Sequence, residues 1–323
     1  MRVRAVLIGV VVLALAGCLP DRIVLDLKPD EGVLEETLVM VGPSGRDGPK
    51  VALIDVRGLI ADASAPGLVG SGSNPVDEFV ARLAKAADDH EVRAVVVRIN
   101  SPGGTVTGSD AMYRELARFR ERTGKPVVAC LSEVAASGGY YLALGADEIV
   151  AAPTTITGSV GVIMQTVNVS RGLSMIGVEA RSVTSGPNKA LASPLEPAQE
   201  EHYAILQGMV DEFYGRFRGL VRERRSGVSG DDLARCTDGR VVTGMEAARV
   251  GMVDGVGDIH DAVARAMERA GLTRARVVKY HGRGASVRTA YARGGEDEGA
   301  FSVRVSGEGL GVLPAGFYYL WRP

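Results

Sequence analysis

The amino-acid sequence predicts an α/β domain built on mostly parallel strands, and two patterns carry that expectation. Short, β-rich apolar runs over residues 51–56, 94–99 and 127–131 alternate with helical patterns over 76–87 and 110–122. Two of those runs lead into glycine turns, Ser101-Pro102-Gly103-Gly104 and Ala136-Ser137-Gly138-Gly139. Each reads as strand, turn, helix, a geometry that leaves backbone N–H groups free at a helix start. The 323-residue chain has a formal net charge of −2, which supplies no strong field for nucleic acid and leaves only local basic patches.

The flanking segments read differently from this centre. Arg2 and Arg4 precede an apolar stretch from Ala5 to Ala16 that is too short for a membrane span. It ends in Leu15-Ala16-Gly17-Cys18, which resembles a bacterial lipoprotein box. The resemblance implies that residues 1–18 are a signal peptide and that Cys18 becomes the lipid-modified first mature residue. Its acyl chains would hold the protein on an extracytoplasmic membrane surface. A plain secretory signal or an uncleaved anchor is the alternative. Residues 19–49 are mixed polar, with Pro29, Gly32, Pro43, Gly45 and Gly48, and read as a linker or tether.

Downstream, residues 197–225 form one helical pattern. Its apolar positions Tyr203, Leu206, Val210, Phe213 and Phe217 recur every three or four residues and mark a face for the core or for a second subunit. Five arginines from Arg216 to Arg225 make its end basic, either as a solvated face favoured at a helix C-terminus or as a contact for anionic lipid. Residues 231–236 are helical in pattern. Residues 273–323 read as a C-terminal extension: glycine-rich stretches, then an apolar segment, 312–321, suited to a strand or a docking tail. Cys130 and Cys236 lie in dissimilar settings and read as buried apolar residues rather than a bridge. No His or Cys spacing suggests a metal, and no cofactor is expected.

The second glycine turn carries the chemistry. A serine opening a helix holds its hydroxyl out from the sheet, and Gly138 lets a carbonyl approach closely. The N–H of Gly138 and one from the opposite turn, with Gly104 the better candidate, can bind the oxyanion of a tetrahedral intermediate. Ordinary capping explains either turn alone, because Gly and Ser are common there. A serine nucleophile needs a base. None of the four histidines, His90, His202, His260 and His281, ends a core strand, so a Ser-His-Asp triad is unsupported. The chain has six lysines against thirty-one arginines, and only a lysine can lose its proton near neutral pH. Five of the six sit in linker, helix-surface, turn or C-terminal settings. Lys189 lies in a small-residue loop, Gly186-Pro187-Asn188-Lys189-Ala190, where spacing alone leaves it either a base or a loop charge.

The run Arg98-Ile99-Asn100-Ser101-Pro102-Gly103-Gly104, the run Ala135-Ala136-Ser137-Gly138-Gly139-Tyr140-Tyr141 and the run Ile156-Thr157-Gly158-Ser159-Val160-Gly161-Val162 resemble the signal peptide peptidase A family of Ser-Lys proteases. The likeness continues through Asp238-Gly239-Arg240-Val241-Val242-Thr243-Gly244 and residues 247–254, in the expected order, and spans about 50–272. It implies a single catalytic domain of the crotonase-like fold, a superhelix of stacked β-β-α turns. It also implies Ser137 as nucleophile, Lys189 as general base, Ser159 as the serine that orients the lysine, and Gly104 and Gly138 as oxyanion donors. The chain departs from the family by lacking an acid after Lys189. A carboxylate there would raise the lysine pKa, so its loss leaves the mechanism intact.

The function expected is a membrane-tethered Ser-Lys endopeptidase that cleaves remnant signal peptides or other extracytoplasmic peptides through an acyl-enzyme. Its partners are peptide substrates, the membrane through the lipid anchor, and, by resemblance, further copies of itself in a ring. A non-catalytic lipoprotein scaffold on the same fold is the alternative, and an acyl-CoA enzyme a weaker third.

Overall fold

The computed structural model describes residues 34–41, 48–64, 74–282, 285, 287–292 and 316–321. The signal-peptide segment and Cys18 lie outside the described residues. In chain order the elements begin with β1 (Glu35–Val41), β2 (Lys50–Ile60), α1 (Pro75–Asp88), β3 (Val92–Thr105), α2 (Val106–Thr123) and β4 (Val127–Ala136). Next come α3 (Gly138–Ala143), β5 (Glu148–Ala151), β6 (Ile156–Gly158), α4 (Ser170–Met175), α5 (Glu200–Arg224) and α6 (Gly230–Cys236). The chain closes with β7 (Val241–Thr243), α7 (Gly244–Val250), β8 (Gly255–Val256), α8 (Ile259–Arg269), β9 (Arg276–His281) and β10 (Tyr318–Leu320). Among the described residues no helix is long and apolar enough to cross a membrane.

The three apolar runs become β2, β3 and β4, parallel neighbours in the order β1-β9-β2-β3-β4-β5-β8. Their continuous apolar character follows from burial on both faces. Alternate residues serve two cores. Ala52, Ile54, Val95 and Val97 pack with Phe79, Leu116 and Phe217 from α1, α2 and α5. Val51, Leu53, Ala94 and Val96 pack with Ile259, Ala262 and Val263 from α8. The helices start where side chains satisfy their orphan amides: Asn74 caps α1, Thr105 caps α2, and Asp258 forms a capping box with Asp261 on α8.

The site is placed by a split in β4. Its first half pairs with β5, Val128 to Leu131 against Glu148 to Ala151, and its second half pairs with β6, Val134 to Ala136 against Ile156 to Gly158. β6 in turn pairs antiparallel with β7. One strand thus passes from one sheet layer to the next, the stacked β-β-α arrangement of the crotonase-like fold. Where β4 turns away after Ala135, opposite Ser101, the edge of β3 over residues 103–105 is left for another strand, and β10 takes it.

Several sequence expectations are corrected. The tether does not extend to residue 49: Glu35–Val41 forms β1 against β9. The domain does not end at 272 either, since β9 sits between β1 and β2, and Tyr319 of β10 is fully buried. Lys50 and Lys279 lie inside this sheet. Lys50 meets Glu36, Asp89 and Glu91, and Lys279 meets Asp55. The Ser101-Pro102-Gly103-Gly104 run is extended strand with an irregularity in its register, not a turn at a helix start, and α2 begins only at Val106. The basic end of α5 is only partly a solvated face: Arg218 and Arg222 are exposed, whereas Arg216 pairs with Asp110, Arg224 donates to the carbonyls of Leu144 and Ala146, and Arg225 grips Asp254. Cys130 and Cys236 are both buried and free, and burial pushes the Cys130 thiol up to about 12.

Candidate active site

Ser137 stands at the junction of β4 and α3 with φ 52° and ψ −114°, a backbone conformation that costs a non-glycine residue about 1–3 kcal/mol. The fold holds it there from both sides. Its N–H donates to the Gly158 carbonyl of β6 at 2.8 Å, and its carbonyl accepts the N–H of Tyr141 at 2.8 Å. α3 behind it is wholly buried, anchored by the Tyr140 hydroxyl on the Met252 carbonyl and the Tyr141 hydroxyl on Asp110. The Ser137 side chain does not cap the helix, and its buried Oγ has no hydrogen-bond partner. A buried hydroxyl left unpaired costs about 1–3 kcal/mol, so the position carries two penalties at once.

Ser101, in the first glycine motif, is the opposite case. Its Oγ donates to the Gly58 carbonyl at 2.6 Å and accepts the N–H of Gly103 at 3.0 Å. That hydroxyl is committed to holding the strand.

The glycines are required because backbones converge. A Cβ on Gly104 would lie 1.7 Å from the Ile60 carbonyl oxygen. On Gly103, at φ 106°, it would lie 2.0 Å from the Tyr319 oxygen and 2.7 Å from the Gly138 nitrogen. On Gly138 it would meet Ser109 Oγ at 2.3 Å and the Tyr319 oxygen at 3.0 Å. The two glycine motifs therefore do face one another across a gap of backbone dimensions.

Ser159 is brought to the same place. Ala136 pairs with Gly158, so Ser137 and Ser159 each follow a paired residue at the ends of neighbouring parallel strands. Ser159 also has positive φ, 51°, is nearly buried, and donates its N–H to the Arg240 carbonyl at 2.7 Å.

Lys189 is not brought to Ser137. It is exposed in the loop before α5, and Ser137 Oγ receives no hydrogen bond from it. Its neighbours Ala190, Leu191 and Ala192 are only half-buried, so its surroundings in the single chain are not dry. His202 is buried at the start of α5 and places Nε2 3.1 Å from the Pro187 carbonyl, tying down the loop two residues before Lys189. Residues 160–163 lie outside any strand, and Ile163 forms a bridge with Tyr318.

The sequence reading placed Tyr319 in the apolar segment 312–321 but gave it no role in the site. Its ring is fully buried, stacked on Tyr141 with centroids 5.0 Å apart and tilted on Phe217 at 4.8 Å, and its hydroxyl donates to the Phe213 carbonyl at 2.9 Å. The aromatic run from Phe317 to Trp321 was the one signal for it.

Comparisons with known proteins agree with the motif order. Residues 119–273 match the sequence profile of Peptidase family S49. A protein of Enterococcus faecium assigned as signal peptide peptidase SppA is 32% identical over 248 residues, covering 77% of this chain and 70% of that one. A Synechocystis protein assigned as a protease is 36% identical over 69% of this chain and 75% of its own length. Protease 4 of Salmonella typhi is 37% identical over 70% of this chain but only 35% of its own. Among solved structures, the 1510-N membrane-bound stomatin-specific protease aligns over 68% of this chain with TM-score 0.42 and 18% identity.

Proposed function

The chain belongs to Peptidase family S49, a family of proteases, and from that premise we propose that Ser137 is its nucleophile and that it works as a membrane-tethered Ser-Lys endopeptidase. The observation that carries the reading is the strained, buried and unpartnered Ser137 hydroxyl at the first turn of α3, beside Gly138, which the backbone of Gly103 approaches. A purely structural residue at that position would be a glycine.

In the reaction, neutral Lys189 accepts the Ser137 proton as Oγ adds to the peptide carbonyl carbon. The N–H groups of Gly138 and Gly104 receive the oxyanion. The C–N bond then breaks as Lys189 returns the proton to the leaving amine. Water adds to the acyl ester, and Ser137 regains its proton. Ser159, level with Ser137, hydrogen-bonds and orients the lysine.

The exposed position of Lys189 supports a further element: the base reaches Ser137 when copies of the chain assemble as a ring. Residues 163–209 carry exposed apolar side chains, among them Met175, Ile176, Val178 and Val183, of a kind that marks an interaction surface. The neighbour that covers them is a second copy. The lipoprotein-like Leu15-Ala16-Gly17-Cys18 supports attachment to an extracytoplasmic membrane surface, where remnant signal peptides and other small peptides are the substrates.

The test is hydrolysis of a fluorogenic peptide panel by the purified full chain in detergent, beside Ser137→Ala and Lys189→Ala, with assembly followed by light scattering. Loss of activity in both variants at unchanged assembly is expected. Retained activity in Ser137→Ala overturns the assignment.

A further inference from the structure

Among the described residues three non-glycine residues have positive φ: Ser137, Ser159 and, at 50°, Ala192. The first is the candidate nucleophile, the second is assigned to orient the base, and the third lies three residues beyond Lys189. Strain of this kind persists only where the surrounding structure enforces it, and it gathers at functional positions. The same loop is turned sharply on the other side of the lysine. The Lys189 N–H donates to the Gly186 carbonyl at 3.2 Å, closing a β-turn over Gly186-Pro187-Asn188-Lys189. Proline suits the second position of such a turn because its ring fixes φ, and asparagine is at home in the third. The Thr184 hydroxyl donates to the same Gly186 carbonyl at 3.0 Å. Lys189 therefore leaves from the last position of a short, closed turn.

His202 joins this turn to the helical frame. It is the third residue of α5, only 4% exposed, and its Nε2 lies 3.1 Å from the Pro187 carbonyl oxygen. A carbonyl only accepts, so Nε2 carries the proton in this bond, and the neutral tautomer and the imidazolium can both supply it. The His202 main chain is held as well, its N–H donating to the Gln199 carbonyl at 3.1 Å. Downstream the loop has separate fastenings. The Asn168 amide donates to the carbonyls of Ser193 and Glu196 at 3.1 and 2.7 Å, and the Val169 N–H donates to that of Pro194 at 2.8 Å. Loss of the His202 bond thus frees the turn while the downstream stretch keeps its anchors. An aliphatic side chain would fill the same buried space. The imidazole adds a donor aimed at one carbonyl, two residues before the lysine.

Given Lys189 as the base, on which this rests, we propose that His202 is a positioning residue for it: through the Pro187 carbonyl it fixes the Gly186–Lys189 turn, and with it the direction from which the lysine amine approaches Ser137. The lysine stem is flexible, so the placement of its main chain decides which positions Nζ reaches. A displacement of about 1 Å at a reacting group costs on the order of 100-fold in rate. His202 therefore acts on kcat rather than on substrate binding, and it acts only while Lys189 is present. The same holds when the lysine serves a neighbouring copy, since the turn and its anchor belong to one chain.

Variants of the full chain test this. His202→Gln keeps a donor, His202→Phe and His202→Leu fill the space without one, and Lys189→Ala is read alone and combined with His202→Phe. Peptide hydrolysis gives kcat and KM, and the rate of Ser137 acylation by a fluorophosphonate is followed in each. Light scattering and thermal unfolding check assembly and folding. In His202→Phe and His202→Leu, kcat should fall about 10- to 100-fold with KM changed by less than about twofold. His202→Gln should recover activity to within about threefold of the unaltered chain. Acylation should fall in step with kcat in His202→Phe. The double variant should react as slowly as Lys189→Ala and no slower, because its turn carries no base to position.

Full activity in a folded His202→Phe or His202→Leu, beside an inactive Lys189→Ala, overturns the proposal and leaves the base standing. So does a loss confined to KM. A further fall from Lys189→Ala to the double variant also overturns it, since the effect then reaches Ser137 by another route. Undiminished hydrolysis in Lys189→Ala removes the base itself, and His202 has nothing to position. If neither donorless variant folds, the His202 bond is a folding contact and the proposal is wrong.

Discussion

Ser137 and Ser159 each follow one of the paired residues Ala136 and Gly158, and both hold a left-handed backbone, with φ of 52° and 51°. Two parallel strands therefore end side by side, each followed at once by a serine. Local preference does not explain this, since glycine is the residue suited to such angles. The pairing joins the candidate nucleophile to the serine assigned to orient its base.

Replacing Ser137 by glycine should make the protein more stable and inactive. The substitution relieves a φ penalty and an unpaired buried hydroxyl, each about 1–3 kcal/mol, against about 0.5–1 kcal/mol of added chain entropy. Urea unfolding should show a gain of about 1–5 kcal/mol for Ser137→Gly, with peptide hydrolysis lost. A loss of stability would show that the hydroxyl is held by a structural partner.

Ser159→Ala should act on the base rather than on substrate binding. A fall in kcat of about 100-fold is expected, with KM little changed and the alkaline-going limb of the pH–rate profile displaced. A change confined to KM would place Ser159 against the substrate instead.

If Lys189 reaches Ser137 from another copy, two dead variants should restore each other. Ser137→Ala and Lys189→Ala chains, unfolded together and reassembled, are expected to regain activity that neither has alone. Activity that stays absent in mixed assemblies of confirmed composition would assign the lysine to its own chain's serine.

Acid should weaken the fold through three paired carboxyls. Burial opposes ionisation of Asp89, Asp254 and Glu148. Lys50, Arg225 and the pair Arg265 and Arg269 respectively outweigh it and hold each carboxyl below its ordinary value. A carboxyl whose folded pKa lies below its unfolded one contributes stability above the unfolded value of about 4, and that contribution is lost as pH falls through the folded value. Tm should therefore be level from about pH 5 to 8 and drop below about pH 4. Asp254→Asn, which breaks the grip of Arg225, should cost about 1–2 kcal/mol at neutral pH and less in acid.

Gly104→Ala measures the closeness of β2 and β3 directly. Its methyl would lie 1.7 Å from a backbone oxygen that cannot swing aside, so a loss of about 2–4 kcal/mol is expected from denaturant unfolding.

How much of this was legible in the sequence depended on the range of the interactions involved. The central strands declared themselves because Val95, Val96 and Val97 must be apolar on both faces, and α1 and α2 because their apolar residues keep helical spacing. The turn at Ser137 was legible from the run Ala136-Ser137-Gly138-Gly139, although the Gly158 carbonyl that holds its N–H is distant in the chain. β1 and β9 were not, because long-range partners make them strands, and of β10 only an apolar segment suited to a strand or a docking tail could be read. Lys279 looks like a surface residue until Asp55 is placed 2.5 Å from it, and His281 until Thr37 meets its ring at 2.8 Å. β10 has three residues, too short for any periodicity, and its burial depends on a pocket formed by residues far away in sequence. Elimination among six lysines left Lys189 either a base or a loop charge; only the family resemblance implied its role, and a resemblance does not give a residue's surroundings.

The central claim is that Ser137 is the acylated residue. The most direct measurement is to treat the purified full chain with a fluorophosphonate during peptide turnover and locate the adduct by tandem mass spectrometry. A single adduct on Ser137 is expected, formed in step with loss of hydrolysis and absent from Ser137→Ala. Complete inhibition with the adduct on Ser159, Ser101 or another residue, and Ser137 unmodified, would contradict it.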